Sequence, residues 1–375
     1  MSIFSYIIPK NKNQILLGSR DGKFADNTKY FFLYLMKKQT PLAFFWITKD
    51  KELYKKFQNL GFPVVYMYSI KGFLSILRSN FILVNQLVND ASFFLMLPGK
   101  FKILNLWHGT PFKRVTIFDM KHQNFFEHSI KKLVKRIYSQ HFYGVITTCK
   151  LGATRLKEAI SINQFPILGY PRNDVFFNSD LLFENYASKL NLKFFSKVFL
   201  YCPTLRDAKS KKPFSDNFLF NLNEYLVKNN IIFLIKWHTY EKNSYNMKKY
   251  SNILDVTHDV QDLQELLPFI DILITDYSSV SYDFVLLDRP VIYYSYDLDD
   301  YVKFSRNLYE NYYEEFPGPF AKNESELFDM ILSVNHLSKL DKIDIMKYNE
   351  FKKKFNVYTD GNSCNRVYDF IIDNL

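Results

Sequence analysis

Ile272-Leu-Ile-Thr-Asp-Tyr-Ser-Ser-Val-Ser-Tyr-Asp283 is the stretch on which the fold class turns. It opens as an apolar run of the kind found in strands buried on both faces, and the serines that follow at once are helix-start residues. A strand that passes directly into a helix is half of a βαβ unit, and such units build parallel sheets. The junction also has chemical meaning. Free N–H groups, the hydroxyls of Ser278 and Ser279 and the positive end of a helix form a phosphate cradle without glycines, although the same residues also make an ordinary helix cap.

Moving outward, the same alternation of short β-branched or aromatic runs with helix-length segments fills the chain. The first half has runs at Gln14–Leu17, Ala43–Ile47, Val64–Tyr68, Phe81–Val84, Lys102–Trp107, Gly144–Thr148 and Pro166–Leu168. The second half has Val198–Tyr201, Ile231–Lys236, Ile253–Val256, Ile272–Thr275 and Val291–Tyr294. The alternation pauses between Asp174 and Lys197, which puts a domain boundary near Asn185, with residues 1–185 and 186–375 as the two domains. At 375 residues, two cores of ordinary size are expected rather than one oversized core. Helical patterns from Glu324 to Leu375 are expected to pack back across both domains.

Composition narrows the class. Hydrophobic residues make up 47% of the chain and charged residues 23%, which excludes a disordered protein. The three cysteines, Cys149, Cys202 and Cys364, are far apart and show no zinc-type pairing, which fits a reduced, cytoplasmic compartment. Asn85, Gln86, Asn89 and Asp90 interrupt the most apolar window, so no membrane span is expected, and Lys10 and Lys12 follow too soon for a signal peptide. Between Lys100 and Lys157 stand twelve lysines and arginines against Asp119 and Glu127, a local field that attracts nucleic acid, acidic lipid or polyphosphate alike. Within it, Phe126, Ile130, Leu133, Val134 and Ile137 recur at helical spacing with Lys131, Lys132, Lys135 and Arg136 around them. That pattern suits an interfacial helix on anionic lipid or a core helix with a basic outer face.

Three more strand ends carry polar groups. In Asn105-Leu-Trp-His-Gly-Thr-Pro-Phe-Lys-Arg-Val115, His108 emerges where ligands bind in parallel α/β domains and is a candidate general base, with packing at a strand end as the plainer reading. Phe199 to Asp207 delivers Thr204 and Arg206, and Ile231 to Thr239 delivers Lys236 and His238. Together they suggest one shared anionic ligand, with Arg206 forking onto phosphate oxygens and His238 donating to a bridging or leaving oxygen. Asp297, Asp299 and Asp300 in the Tyr296–Tyr301 run read as a solvated helix start rather than a metal site.

Taken in order, the strings at Trp107–Pro111, Gly169–Asp174, Pro203–Asp207, Lys236–His238, Thr275–Ser279, Tyr296–Tyr301 and Asp360–Gly361 resemble the CDP-glycerol glycerophosphotransferase family of teichoic-acid primases and polymerases. The resemblance covers the chain from Asn13 onward. It implies a GT-B-like α/β fold in which two Rossmann-like domains with parallel sheets face a cleft, the second holding CDP and the first receiving the acceptor. It also implies that His108 is the base. The donor contacts it implies fall on Trp107, Gly109, Thr110, Pro111, Arg172, Pro203, Thr204, Trp237, His238, Thr239, Ser278, Ser279 and Asp283. Two positions depart from the family pattern: Thr239 stands where proline is more usual after the histidine, and Leu205 where tryptophan is.

The expected reaction transfers glycerol phosphate from CDP-glycerol to a polyol-phosphate polymer or lipid-linked saccharide acceptor, with no protein-bound metal or cofactor. CDP-ribitol as donor and a nucleotide-sugar glycosyltransferase of the same fold are the alternatives. Binding to an anionic membrane surface from the cytoplasmic side is expected. Nucleic acid is not expected as a partner, because a basic field alone leaves the strand-end strings unexplained.

Overall fold

The structure, a computed structural model, describes residues 4–86, 90–92, 95, 99–114, 142–160, 162, 164–206, 212–238, 245–304, 307–335 and 345–375. The amphipathic segment 125–138 and Thr239 lie outside the described residues.

Among the described residues, twelve strands form two sheets. β1 (Asn11–Leu17), β2 (Ala43–Thr48), β3 (Val64–Tyr66), β4 (Ser79–Val84), β5 (Lys102–Asn105) and β6 (Phe142–Val145) make the first, in the order β3-β2-β1-β4-β5-β6. β7 (Lys197–Cys202), β8 (Ile231–Ile235), β9 (Ile253–Asp255), β10 (Ile272–Thr275), β11 (Val291–Tyr294) and β12 (Phe320–Ala321) make the second, in the order β12-β11-β10-β7-β8-β9. Every pairing is parallel, as the apolar runs predict. Read from the opposite edge, the second sheet repeats the first: each is a doubly wound sheet whose order reverses beside its first strand. The reversal points, β1 beside β4 and β7 beside β10, are where such sheets bind ligands.

Burial explains the strand assignments. β8 and β10 are buried along their whole length, because helices cover both faces of the sheet. Leu219, Leu222, Leu226, Leu327 and Ile331 pack on one side of the second sheet, and Tyr282, Phe284, Tyr348, Phe351 and Phe355 on the other. The helix Ser363–Ile372 then returns to the first sheet, where Cys364, Val367 and Ile371 enter its core. Asp174 fastens this return: its carboxylate accepts from the N–H groups of Ser363 (2.9 Å) and Cys364 (2.7 Å) at the helix start.

Three local differences from the sequence reading have physical causes. β5 stops at Asn105 rather than Trp107, because Trp107 takes a left-handed φ of 55° and its N–H bonds to Asn105 Oδ1 (2.8 Å). Pro166–Leu168 is not a strand. Ile167 makes one bridge to Thr147, and Pro166 has no N–H to extend it. β12 is only two residues long, too short to stand out as a run.

The two halves are joined by backbone and by buried charge. Arg114 N–H donates to the Asn307 carbonyl (2.9 Å) and Tyr309 N–H to the Phe112 carbonyl (3.1 Å). Buried Arg155 pairs with Glu315 (2.7 Å), and buried Lys29 pairs with both Asp262 and Glu265 (2.8 Å each). No helix among the described residues is long and apolar enough to cross a membrane.

Candidate active site

The site begins where β5 ends. The left-handed turn at Trp107 swings His108 toward the second sheet, and Asn27 holds the turn by donating to the carbonyls of Leu106 (2.9 Å) and Trp107 (2.8 Å). Gly109 follows with φ 143°, and a Cβ there would stand 2.8 Å from Ser279 Oγ and 3.3 Å from Arg172 Nη2. Glycine is therefore required both by backbone conformation and by close approach of the second domain.

That approach closes a cavity of about 280 Å³ between the two reversal points. His108, Arg172, Ser278, Ser279 and Asp283 line it, with Asp26 among the remaining lining residues. Residues 170 positions apart in the chain thus face one space: the imidazole from one wall and the two hydroxyls from the other. His108 Nδ1 lies 3.4 Å from the Asn85 carbonyl, the geometry that suits an Nδ1–H tautomer and leaves Nε2 for chemistry. Burial pushes the imidazole down to about 4, helped by Arg172 and Arg20 and opposed by Asp26 and the Asn85 carbonyl. A neutral imidazole at neutral pH is the form that accepts a proton.

Arg172 has a different role from the one its sequence suggests. Nη1 donates to Asp26 Oδ1 (2.9 Å) and to the His108 carbonyl (3.0 Å), and Nη2 donates to Asp283 Oδ2 (2.6 Å). Asn173 donates to the other Asp283 oxygen (2.9 Å). Both Asp283 oxygens are thus engaged, by Arg172 and Asn173, while burial pushes its carboxyl upward against their pull. The Gly169–Asp174 string is a junction tying the His108 loop, the second domain and the returning helix.

Arg206 is held by carboxylates of its own half of the chain. Its fork engages Asp297 through Nε (2.7 Å) and Nη2 (2.9 Å), Asp276 through Nη2 (2.8 Å) and the Thr204 carbonyl through Nη1 (2.6 Å), so no donor pair remains for a phosphate. The same contact corrects Asp297, which is buried under the guanidinium rather than solvated. Asp299 is exposed and Asp300 half-buried.

Several other expected contacts do not line this cavity. Trp107 and Trp237 are core residues, the latter stacked on Tyr245 with centroids 5.7 Å apart. Thr110 faces Thr148 (3.1 Å between hydroxyls), and the Pro111 carbonyl accepts from Arg155 (3.0 Å). Pro203 is buried, and Thr204 N–H donates to Asp276 (2.9 Å). His238 is half-buried at the end of β8. A neighbouring cavity of about 400 Å³ between the domains is lined by Lys23, Lys236, Thr257 and His258, and it shares Gln261 and Asp262 with the first. Burial pushes the Lys236 ammonium downward. Sequence reasoning missed Asp26, whose only local mark is an Asp-Asn pair opening an apolar helix, the usual look of a cap.

A model of the CDP-Glycerol:Poly(glycerophosphate) glycerophosphotransferase family matches residues 1–373. The chain belongs to this family. It is accordingly a glycerophosphotransferase-type enzyme. Among its relatives is a teichoic acid glycerol-phosphate transferase of Staphylococcus aureus, 28% identical over 374 residues, with 95% of this chain and 92% of that protein aligned. A teichoic acid poly(glycerol phosphate) polymerase of Bacillus subtilis is 26% identical across 97% of this chain, which spans about half of that longer protein, 49%. The solved wall teichoic acid polymerase TagF superposes with a TM-score of 0.78 at 24% identity, covering 97% of this chain and 90% of that one. This likeness establishes the doubly wound, two-domain GT-B-like fold.

Proposed function

We propose that this family member transfers glycerol phosphate from CDP-glycerol to a hydroxyl of a cell-envelope acceptor, a teichoic acid, lipid-linked primer or capsule chain, and releases CMP. The observation that carries the reading is the shared cavity: His108 from the first sheet faces Ser278 and Ser279 from the second.

In the proposed step the acceptor O–H gives its proton to His108 Nε2, and the freed oxygen bonds to the β-phosphorus. The bond from that phosphorus to the bridging oxygen breaks, and the bridging oxygen leaves as part of CMP. Such transfers depend mostly on positioning and charge stabilisation. Ser278 and Ser279 supply hydroxyl donors for the phosphates, and Arg172 holds the His108 loop against the second domain. His238 at the neighbouring strand end is assigned to the donor phosphates by the family resemblance. Residues 1–185 serve as the acceptor-facing domain and 186–375 as the donor domain. The basic stretch from Lys100 to Lys157 supports attachment to an anionic membrane surface, the expected location of a lipid-linked acceptor.

Replacing His108 with Ala tests the core of this reading. CMP release from CDP-glycerol should drop by about 10²-fold or more while donor binding persists, because only the proton transfer is lost. Turnover at the wild-type rate removes His108 as the base. A poly(ribitol-phosphate) polymerase of Bacillus spizizenii, 31% identical over 226 residues, keeps CDP-ribitol as the second reading. Parallel assays with each CDP-polyol separate the two donors.

A further inference from the structure

Asp26 carries no motif, yet it occupies an unusual place. Its backbone lies at φ 65°, a left-handed conformation that Asp and Asn tolerate and most residues avoid. This turn puts the carboxylate on the wall of the cavity that holds His108. Oδ1 accepts from Asn27 N–H (2.8 Å) and from Arg172 Nη1 (2.9 Å), and that same Arg172 nitrogen donates to the His108 carbonyl (3.0 Å). Oδ2 makes no hydrogen bond among the described residues, and the side chain is 25% exposed.

Asp283, the other carboxylate on Arg172, contrasts with this. It is 3% exposed and both its oxygens are engaged. One guanidinium therefore serves two carboxylates, which leaves one negative charge over, and the open oxygen belongs to Asp26. A cavity of this kind, only partly open to water, magnifies what such a charge does to a neighbour.

We propose that Asp26 is the positioning residue for His108: its carboxylate offsets the positive charge that forms on the imidazole as it takes the acceptor proton, and through Arg172 it fixes the loop that carries the ring. This rests on the assignment of His108 as the base. The charged groups lining the cavity with the imidazole are Asp26, Arg172, Asp262 and Asp283, with Arg20 acting from outside it. Of these, Asp26 is the largest influence raising the affinity of the ring for a proton, against burial, Arg172 and Arg20.

Asp26→Asn removes the charge while keeping an oxygen acceptor and a residue type that accepts positive φ. The expected result is a single-turnover rate of CMP release at least about tenfold below wild type, a fraction of what the base itself contributes. CDP-glycerol affinity stays unchanged, and the acid limb of the pH-rate profile moves to lower pH, because an imidazole without its carboxylate protonates less readily. Thermal melting monitors the fold. Should Asp26→Asn fail to fold, Asp26→Gly, which relaxes at positive φ, carries the same test. A wild-type rate, or a reduced rate with an unmoved pH profile, overturns the role of Asp26. Run beside it, an inactive His108→Ala keeps the base assignment standing whatever Asp26 shows, whereas an active His108→Ala removes that assignment itself.

Discussion

The loop after β5 and the loop after β7 look alike in sequence and differ in structure. Both follow an apolar strand, both end at the cleft side of a doubly wound sheet, and both offer a hydroxyl and a strongly basic or titratable group. After β5, His108 lines a cavity, with Nδ1 3.4 Å from the Asn85 carbonyl. After β7, Arg206 is enclosed by Asp276, Asp297 and the Thr204 carbonyl. Residue type at a strand end thus indicates where a ligand can sit. Whether a side chain is free for that ligand depends on carboxylates far away in the chain.

The sharpest way to break this comparison is Arg206→Ala. It leaves Asp276 and Asp297 buried without their cation, at a cost of about 3–5 kcal/mol in urea unfolding. If stability held and CDP-glycerol affinity collapsed instead, Arg206 would be a phosphate ligand after all. Gly109→Ala probes the other loop. The new Cβ meets Ser279 and strains a φ of 143°, so the His108 loop must shift, and CMP release should fall by about 10²-fold with a smaller change in melting temperature. Equal losses in activity and stability would deny that the loop's position matters to chemistry.

Asp174→Ala is expected to have a smaller effect, about 0.5–2 kcal/mol, because it removes the cap of the returning helix. Hydrogen exchange should quicken in Ser363–Ile372 while the strands of the second sheet stay protected. A separate effect is on pH. His108 takes up its proton near the ordinary imidazole value of about 6.5 when unfolded but only near about 4 when folded. Its stabilising contribution is therefore complete above about 6.5 and is lost as pH falls from there toward about 4. Wild-type melting should drop more steeply across that window than melting of His108→Asn, and parallel slopes would mean that the ring is not held neutral.

Most of the architecture was legible because burial leaves a direct trace: β8 is apolar from end to end, β10 is apolar up to its closing Thr275, and the serines after β10 mark the next helix. Pro166–Leu168 misled because its composition is strand-like while proline withholds the N–H that a ladder needs. β12 escaped notice because two residues carry no period. At the site, His108, Gly109, Ser278 and Ser279 were legible because strand ends and small or polar residues coincide there. Asp297 was misread, and the pairings of Arg172 with Asp283 and of Arg206 with Asp297 went unseen, because an ion pair between distant residues has no local sign. Asp26 was invisible for a related reason: a helix-opening aspartate looks the same whether or not its backbone turns left-handed.

The most direct measurement is a structure of this protein with CDP-glycerol bound. The pyrophosphate is expected against Ser278 and Ser279, with the β-phosphorus turned toward His108 and room for one hydroxyl between them. Phosphates seated beside Lys236 and His258 in the neighbouring cavity, more than about 10 Å from the imidazole and with no domain closure to bridge the gap, would contradict it.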